Sequence, residues 1–252
     1  ISELNLPPLS EVEIKRFKAD CVLKNFCISL DELQERFEAK YHDPIIDSII
    51  SMLLKSKSII MPLGDQHLSK KITMPGRFKR IFVEKNNGTV FLGGKQIYEL
   101  DPYNKKFLSV KKHGDRIANQ LFLHENMIAI TRSGTIGRVN LVPKYMENWI
   151  YSEHIIRVIP SSNDIAGYIY IWLSTEYGRI MIERFSYGAV IKEIDVKQVS
   201  DILIPIIHDK HKMKQINELA LESNRLRSEA YYLEQEAIDD VNKLIGFDNM
   251  EE

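Results

Sequence analysis

Residues 129–140 read AITRSGTIGRVN, two glycines and two arginines set between an apolar run and the alternating RVNLV of 138–142. How this stretch is read decides between a nucleotide-binding α/β fold and a mixed-sheet fold. A Walker-type phosphate loop needs Lys and then Ser or Thr directly after its last glycine, and here Gly137 is followed by Arg138 and Val139. A dinucleotide fingerprint opens a helix, whereas RVNLV has the alternation of a strand. What remains is a turn linking two strands. Its glycines let the main chain approach another molecule closely, and backbone amides with arginines are groups that bind phosphates and base edges.

Outward from that turn, the chain between 58 and 208 is short-period and β-branched. RIFVE (80–84), TVFLG (89–93), MIAITR (127–132), RVNLV, HIIRVIP (154–160) and DILIPI (201–206) are expected as strands, separated by KNNG, GG and DPYNK turn signals. Asn86-Asn87-Gly88 predicts a hairpin between the first two, because Asn and Gly tolerate the positive φ of tight hairpin turns. The run 165–185, IAGYIYIWLSTEYGRIMIERF, predicts one helix. Residues 1–57 read as mostly helical. Ser29 is an expected N-cap with Glu32 at the capping-box position, Leu30, Leu33 and Phe37 share a face, and a second helix starts at Pro44 after Asp43. The expected organisation is a helical segment 1–57, a body 58–208 and a long helix in 209–252. The class is α+β, with a mixed or antiparallel sheet followed by a C-terminal coiled-coil helix.

In that last segment Ile216, Leu219, Ser223, Leu226, Ala230, Leu233, Ala237 and Leu244 fall on alternating steps of three and four, with Asp240 the one break. This is the seam of a coiled coil, and it predicts dimerisation through Ile216, Leu219, Leu226 and Leu233. Composition sets broader limits. An apolar content of 44% suits a folded core, the longest apolar runs are too short to span a membrane, and no signal-peptide pattern opens the chain. A first residue of Ile suggests a trimmed chain or a piece of a longer one. Cys21 and Cys27 lack the spacing of a zinc site and read as small buried residues of an intracellular protein, giving a cytoplasmic expectation. The net charge of −1 hides an asymmetry: residues 70–144 hold 15 Lys and Arg against five acids, net +10, and the rest carries −11. A basic middle between acidic ends fits a surface offered to a polyanion.

Catalytic signatures are missing. The chain has no G-x-S-x-G elbow, no H-E-x-x-H, and no Asn/Asp-Pro-Pro-Tyr/Phe tetrapeptide. Glu193, Asp195 and Lys197 in EIDVK resemble half of a metal-dependent nuclease site, without an assignable upstream carboxylate to share the metal. No catalytic residue, metal ligand or cofactor is therefore assigned.

The order of segments carries a resemblance. RFEAKYHDP, GRFKRIFVEKNNGTVFLGGKQI, MIAITRSGTIGRVNLVP, SEHIIRVIP, then YIYIWLSTEYGRIMIERFSYGAVIKEIDVKQVSDILIPI and KQINEL before the heptad helix, resembles the target-recognition half of a type I restriction-modification specificity subunit from about residue 35 onward. Where that family has a proline-rich segment with Glu-Gln before its spacer helix, this chain keeps Pro205 and Gln215-Ile216 with IIHDKHKM between them. The resemblance implies a DNA-reading subunit without catalysis of its own, in which a recognition domain at 58–208 precedes a spacer and dimerisation helix at 209–252. Two such units form a two-headed reader of a split duplex site, and methyltransferase and restriction subunits dock alongside. Three loops that pair glycine with polar donors are the expected contacts: Lys95 and Gln96; Arg132, Ser133, Thr135 and Arg138; Tyr187 and Lys192. Two other readings stay open, the recognition domain of a single-chain restriction-methylation enzyme and a coiled-coil interaction module that binds no DNA.

Overall fold

In a computed structural model of the protein, residues 26–33, 36–56, 58–188 and 190–246 are described. The strands among them are β1 (Ile59–Pro62), β2 (Ser69–Thr73), β3 (Phe82–Val83), β4 (Gly88–Leu92), β5 (Lys106–Ser109), β6 (Ile128–Thr131), β7 (Val139–Leu141), β8 (Ile150–Tyr151), β9 (Ile155–Pro160) and β10 (Leu203–Ile206). The helices are α1 (Leu30–Leu33), α2 (Pro44–Lys55), α3 (Val110–Arg116), α4 (Asn163–Ser174), α5 (Glu176–Glu183), α6 (Val196–Ser200) and α7 (Lys210–Ile245).

The stretch AITRSGTIGRVN forms one side of the main sheet, as the antiparallel pair of inner strand β6 and edge strand β7 and the turn between them. That sheet has the order β2-β9-β6-β7 and is antiparallel throughout. Because side chains alternate across a strand, one face carries Ile128, Ile130, Ile156 and Val158 into the largest core, and the other carries Ala129 and Ile155 into a second. The largest core is closed by α2, α4 and α5 through residues such as Ile49, Leu53, Trp172 and Ile182. β1 and β10 form a separate antiparallel ribbon.

Between β2 and β6 the chain leaves this sheet and builds three strands of another, ordered β3-β5-β4-β8, which β8 completes after β7 by pairing parallel to β4. The expected Asn86-Asn87-Gly88 hairpin is overturned here. β3 and β4 do not pair; β5 lies between them, Lys85–Asn87 is a 3₁₀ turn, and Gly88 is extended with φ −142°. The positive-φ asparagines are instead Asn104, Asn126 and Asn148. Gly88 owes its place to packing, since a Cβ there would lie 2.8 Å from Phe107 Cβ. Arg157 joins the two sheets: it is buried in β9 and donates to Tyr151 O and Leu121 O, and burial lowers its guanidinium pKa to about 10.

Three further expectations are corrected. The single helix over 165–185 is two, broken at Thr175, whose extended backbone lets its hydroxyl accept from Gly178 N at 3.1 Å. The helix from Ser29 ends by Leu33 among the described residues, with the side chain of Glu32 outside them. Leu30 and Phe37 are exposed, and Arg36 instead reaches Phe185 O at 3.2 Å while Lys40 pairs with Glu183 at 2.8 Å, so tertiary contacts override the helical pattern. Cys27 is exposed, not buried; Cys21 lies outside the described residues. The second N-terminal helix is as expected, with Asp43 accepting from Ile45 N at 3.1 Å and Pro44 in the first turn.

The 36-residue α7 starts where the Asp209 side chain accepts from Lys212 N at 2.9 Å and stops at Gly246, left-handed with φ 76°. At about 1.5 Å per residue it is roughly 54 Å long. Its N-terminal half crosses α4 at backbone contact. A Cβ at Gly167 would lie 2.5 Å from Asn217 O and 2.9 Å from Ala220 Cβ. No described helix is long and apolar enough to cross a membrane.

Candidate nucleic-acid interface

The β6–β7 turn is held shut by Thr131. Its hydroxyl donates to Thr135 O at 2.5 Å and accepts from Arg138 N at 3.0 Å, and its carbonyl accepts from Gly137 N at 3.2 Å. Gly134 and Gly137 take φ of +76° and +77°, the left-handed conformation that side chains other than glycine's disfavour. Thr135 and Arg138 are exposed. The Arg138 guanidinium lies 5.5 Å from the Tyr98 ring centroid, and Tyr98 OH donates to Val139 O at 2.9 Å. Ser133 is partly buried, its hydroxyl 2.7 Å from His154 Nδ1.

Arg132 departs from expectation. It is only 8% exposed, its Nη2 donates to Glu193 Oε2 at 2.5 Å and its Nε to Ile194 O at 3.2 Å. Main-chain bonds run beside the side chain, from Arg132 N to His154 O and from Ile194 N to Arg132 O, both 2.9 Å. The guanidinium therefore fastens the loop 187–193 to the end of β6, and its inward direction takes it out of the set of exposed contacts. That loop is closed by reciprocal bonds between Tyr187 and Glu193 at 2.8 and 3.0 Å. Gly188 has φ +99°, and a Cβ on it would lie 2.4 Å from Ile191 O. Lys192 is exposed beside the exposed Val190 and Ile191, and Tyr187 is half-buried.

In the third loop Gln96 also turns inward on its own turn. Its Oε1 accepts from Gly93 N at 3.0 Å and its Nε2 donates to Tyr103 O at 3.3 Å, while Lys95 is exposed. A Cβ at Gly94 would stand 3.7 Å from Thr131 Cγ2, so this loop too lies against the end of β6. The three loops are thus neighbours, and their exposed cations are Lys95, Arg138 and Lys192. Sequence reasoning missed the residues that hold them. Glu153, buried, takes Arg80 in an ion pair, lies 3.7 Å from His154 Nε2, and has an Oε2 without a hydrogen-bond partner. Arg77 approaches Glu193 at 3.9 Å. The only sequence signal for this network was the adjacent ionisable pair Glu153-His154 just before a strand. The nuclease-like acids have structural work: Glu193 holds Arg132, and Asp195 caps α6, accepting from Gln198 N at 2.9 Å.

On α7 the expected seam divides. Leu219, Leu226 and Leu233 are 66%, 49% and 61% exposed, whereas Ile216 packs against the largest core. The helix face turned to the body is mixed: Ile216 and the buried Ala220 pack there beside polar residues whose hydrogen bonds apolar periodicity does not show. Asn217 accepts from Tyr168 N at 3.1 Å, and Asn224 donates to Val142 O at 2.9 Å. Ser228 accepts from Lys144 N at 3.0 Å, and Tyr231 stacks on Tyr145 with centroids 4.1 Å apart. Arg227 reaches Asn140 Oδ1 at 2.6 Å and the carbonyls of Ile97 and Glu99 at 3.4 and 3.3 Å, the residues flanking Tyr98.

Residues 70–219, more than half of the chain, match the family model of the type I restriction modification DNA specificity domain. Among solved structures the chain is similar to the S subunit of a type I restriction-modification system from M. genitalium, at 14% identity over 64% of this chain and 37% of that one, TM-score 0.41. It is similar to the HsdS subunit of Thermoanaerobacter tengcongensis at 13% identity, over 80% of this chain and 51% of that one, TM-score 0.47. A third similarity, at 13% identity over 92% and 58% with TM-score 0.46, is to a chain from a structure concerned with complex assembly and conformational transition of the type I R-M system. The chain spans between 37% and 58% of the length of these three. No curated protein matches it.

Proposed function

Because the chain belongs to the type I restriction modification DNA specificity domain family, we propose that it is a non-catalytic DNA-reading subunit, presenting the three loops gathered at the end of β6 to one half of a bipartite duplex site. Lys95, Arg138 and Lys192 are its phosphate or base-edge contacts, with Thr135 and the main chain of 133–137 beside them. Arg132, Ser133, Gln96 and Tyr187 hold the loops in shape. The leucine stripe of α7 pairs with the helix of a second copy, and methyltransferase and restriction subunits dock on the pair and supply the chemistry.

One observation carries this reading. The Arg132–Glu193 tie and the approach of Gly94 to Thr131 bring loops that are distant in sequence to one place, each with an exposed cation and a glycine that lets the backbone come close. Phosphate contacts release counterions, so each one lost lowers the slope of log affinity against log salt by about 0.9 for duplex DNA. Gel-shift titration of Arg138→Ala and Lys192→Ala across salt concentrations should show weaker binding and a shallower slope in each. Wild-type affinity and slope in both variants would overturn the assignment of these loops.

A further inference from the structure

The densest positive charge of the chain lies mainly outside the three loops. Residues 76–116 hold ten Lys and Arg against four acids; Lys106 is in β5, Lys111, Lys112 and Arg116 are in α3, and the rest lie in the segments that lead into or connect the strands of the second sheet. The small core beneath that sheet, Phe91, Leu108, Ile117, Leu121 and Ile150, is modest support for so much charged surface. Part of the charge is paired: Arg80 with Glu153, Lys105 with Asp101, Arg77 with Glu193. Lys79, Lys85, Lys111 and Lys112 are exposed, and among the described residues none of them is in an ion pair. Gathering uncompensated cations costs self-repulsion, which a polyanion removes.

The element that presents Lys111 and Lys112 is built to be rigid. Ser109 caps α3, accepting from Lys112 N at 3.4 Å, and the helix widens at its end into a π-helical turn, Ile117–Leu121. Ile117 and Leu121 are buried in the small core. His113 Nε2 accepts from Ile81 N at 3.2 Å, and Arg116 donates to Gly76 O at 3.1 Å while lying 4.8 Å from the Phe78 ring centroid. The opposite side is exposed: Lys111, Lys112 and Asp115, then three residues in a row, Ala118, Asn119 and Gln120. A π turn, often a mark of functional sites, spreads these three along the outside. Asn119 Nδ2 donates to Asp115 O at 2.8 Å, which fixes the direction of its amide. The segment 76–81 that braces α3 through Gly76 and Ile81 also sends Arg77 to Glu193, so the element and the loop 187–193 share one support.

Cations flanking outward amides on a rigid helical ridge are the groups that duplex DNA takes in its major groove, where Asn and Gln pair with adenine and Lys meets phosphate. We propose that residues 110–121 form a second DNA-reading ridge in which Asn119 and Gln120 read base edges and Lys111 and Lys112 fix register on the backbone. This rests on the reading of the chain as a DNA-binding subunit.

The test is selection of bound sequences by the purified full chain from duplexes with a randomised core, comparing wild type with Asn119→Ala, Gln120→Ala and the pair Lys111→Ala/Lys112→Ala. The amide variants should relax preference at one or two positions by roughly 5- to 150-fold, the range a good bidentate base contact supplies, with the salt slope unchanged. The lysine pair should leave the selected motif intact and lower the salt slope by up to about 1.8, two phosphate contacts. Unchanged motif and slope in all three, with the wild type selecting normally, would overturn the ridge and leave the three-loop reading standing; so would the same result accompanied by loss of methyltransferase-subunit binding, which would make the ridge a protein-docking face. A wild type that retains no duplex at low salt would overturn the DNA-reading assignment beneath it.

Discussion

Arg132 and Arg138 sit six positions apart in one short motif and have opposite environments. Arg132 points inward and holds Glu193 and the Ile194 carbonyl; Arg138 points outward over Tyr98. Removing this buried donor leaves the Ile194 carbonyl unsatisfied and Glu193 with only the 3.9 Å approach of Arg77, so Arg132→Ala should lower the unfolding free energy by about 1–3 kcal/mol, read as a drop in denaturant midpoint. Arg138→Ala should stay within about 0.5 kcal/mol of wild type in the same assay and lose duplex affinity. The reverse pattern would show that the two roles have been exchanged. Nothing in the sequence separates the two residues, because burial of Arg132 depends on a carboxylate 61 positions away. Burial also governs the phenols: it raises the pKa of Tyr98, Tyr151 and Tyr168, and that of Tyr145 to about 12. A folded pKa above the ordinary value near 10 contributes stability that is whole below about pH 10 and is lost as pH rises through the folded value. The tyrosinate absorbance of the buried Tyr145, Tyr151 and Tyr168 should therefore emerge above about pH 10 together with loss of the helical signal; its appearance while the helices remain intact would contradict their burial.

At the level of elements, patterns that are satisfied locally were legible and those settled by distant partners were not. The β6–β7 turn, the Asp43–Pro44 helix start and the long C-terminal helix follow from spacing, glycines and caps. The Asn-Asn-Gly turn was misread because β5, 18 residues further on, inserts between the strands it separates, and turn chemistry carries no information about an inserted strand. The break at Thr175 was hidden because the apolar pattern runs on through two helices that both cover the same core. The hydrogen-bonded dock of α7 was invisible for a related reason: periodicity reports apolar contacts, and the bonds here come from Asn, Ser and Arg set among Ile216 and Ala220. At its crossing with α4 there is no room for a side chain on Gly167, where a Cβ would lie 2.5 Å from Asn217 O. Gly167→Ala should force α4 and α7 apart and cost about 1–3 kcal/mol in unfolding, as overpacking does, with faster amide exchange around 217–224 and little change around 235–245. An unchanged midpoint would show that the crossing yields without cost.

For the whole molecule, α7 is a helix with two faces in different use. The face on the body packs Ile216 and Ala220 and is hydrogen-bonded through Asn217, Asn224, Arg227 and Ser228. Leu219, Leu226, Leu233 and Leu244 stand exposed on a helix of roughly 54 Å. An apolar stripe of that length at heptad spacing is the signature of a helix that pairs, and the neighbouring Ala230 and Ala237 are small enough to admit a close partner. Polar docking fixes the orientation of each body on its helix, since hydrogen bonds tolerate less sliding than apolar contacts, so pairing two helices would set two bodies at a defined separation. Leu226→Glu with Leu233→Glu should therefore give a monomer in sedimentation where the wild type is a dimer, with unchanged secondary structure because both residues point away from the body. On DNA, the wild type should bind paired half-sites with a sharp optimum in their spacing, and the double variant should bind a single half-site about as well while showing no spacing optimum. A double variant that remains dimeric would move the pairing surface off this stripe. A monomeric wild type would reserve the stripe for a helix outside this chain.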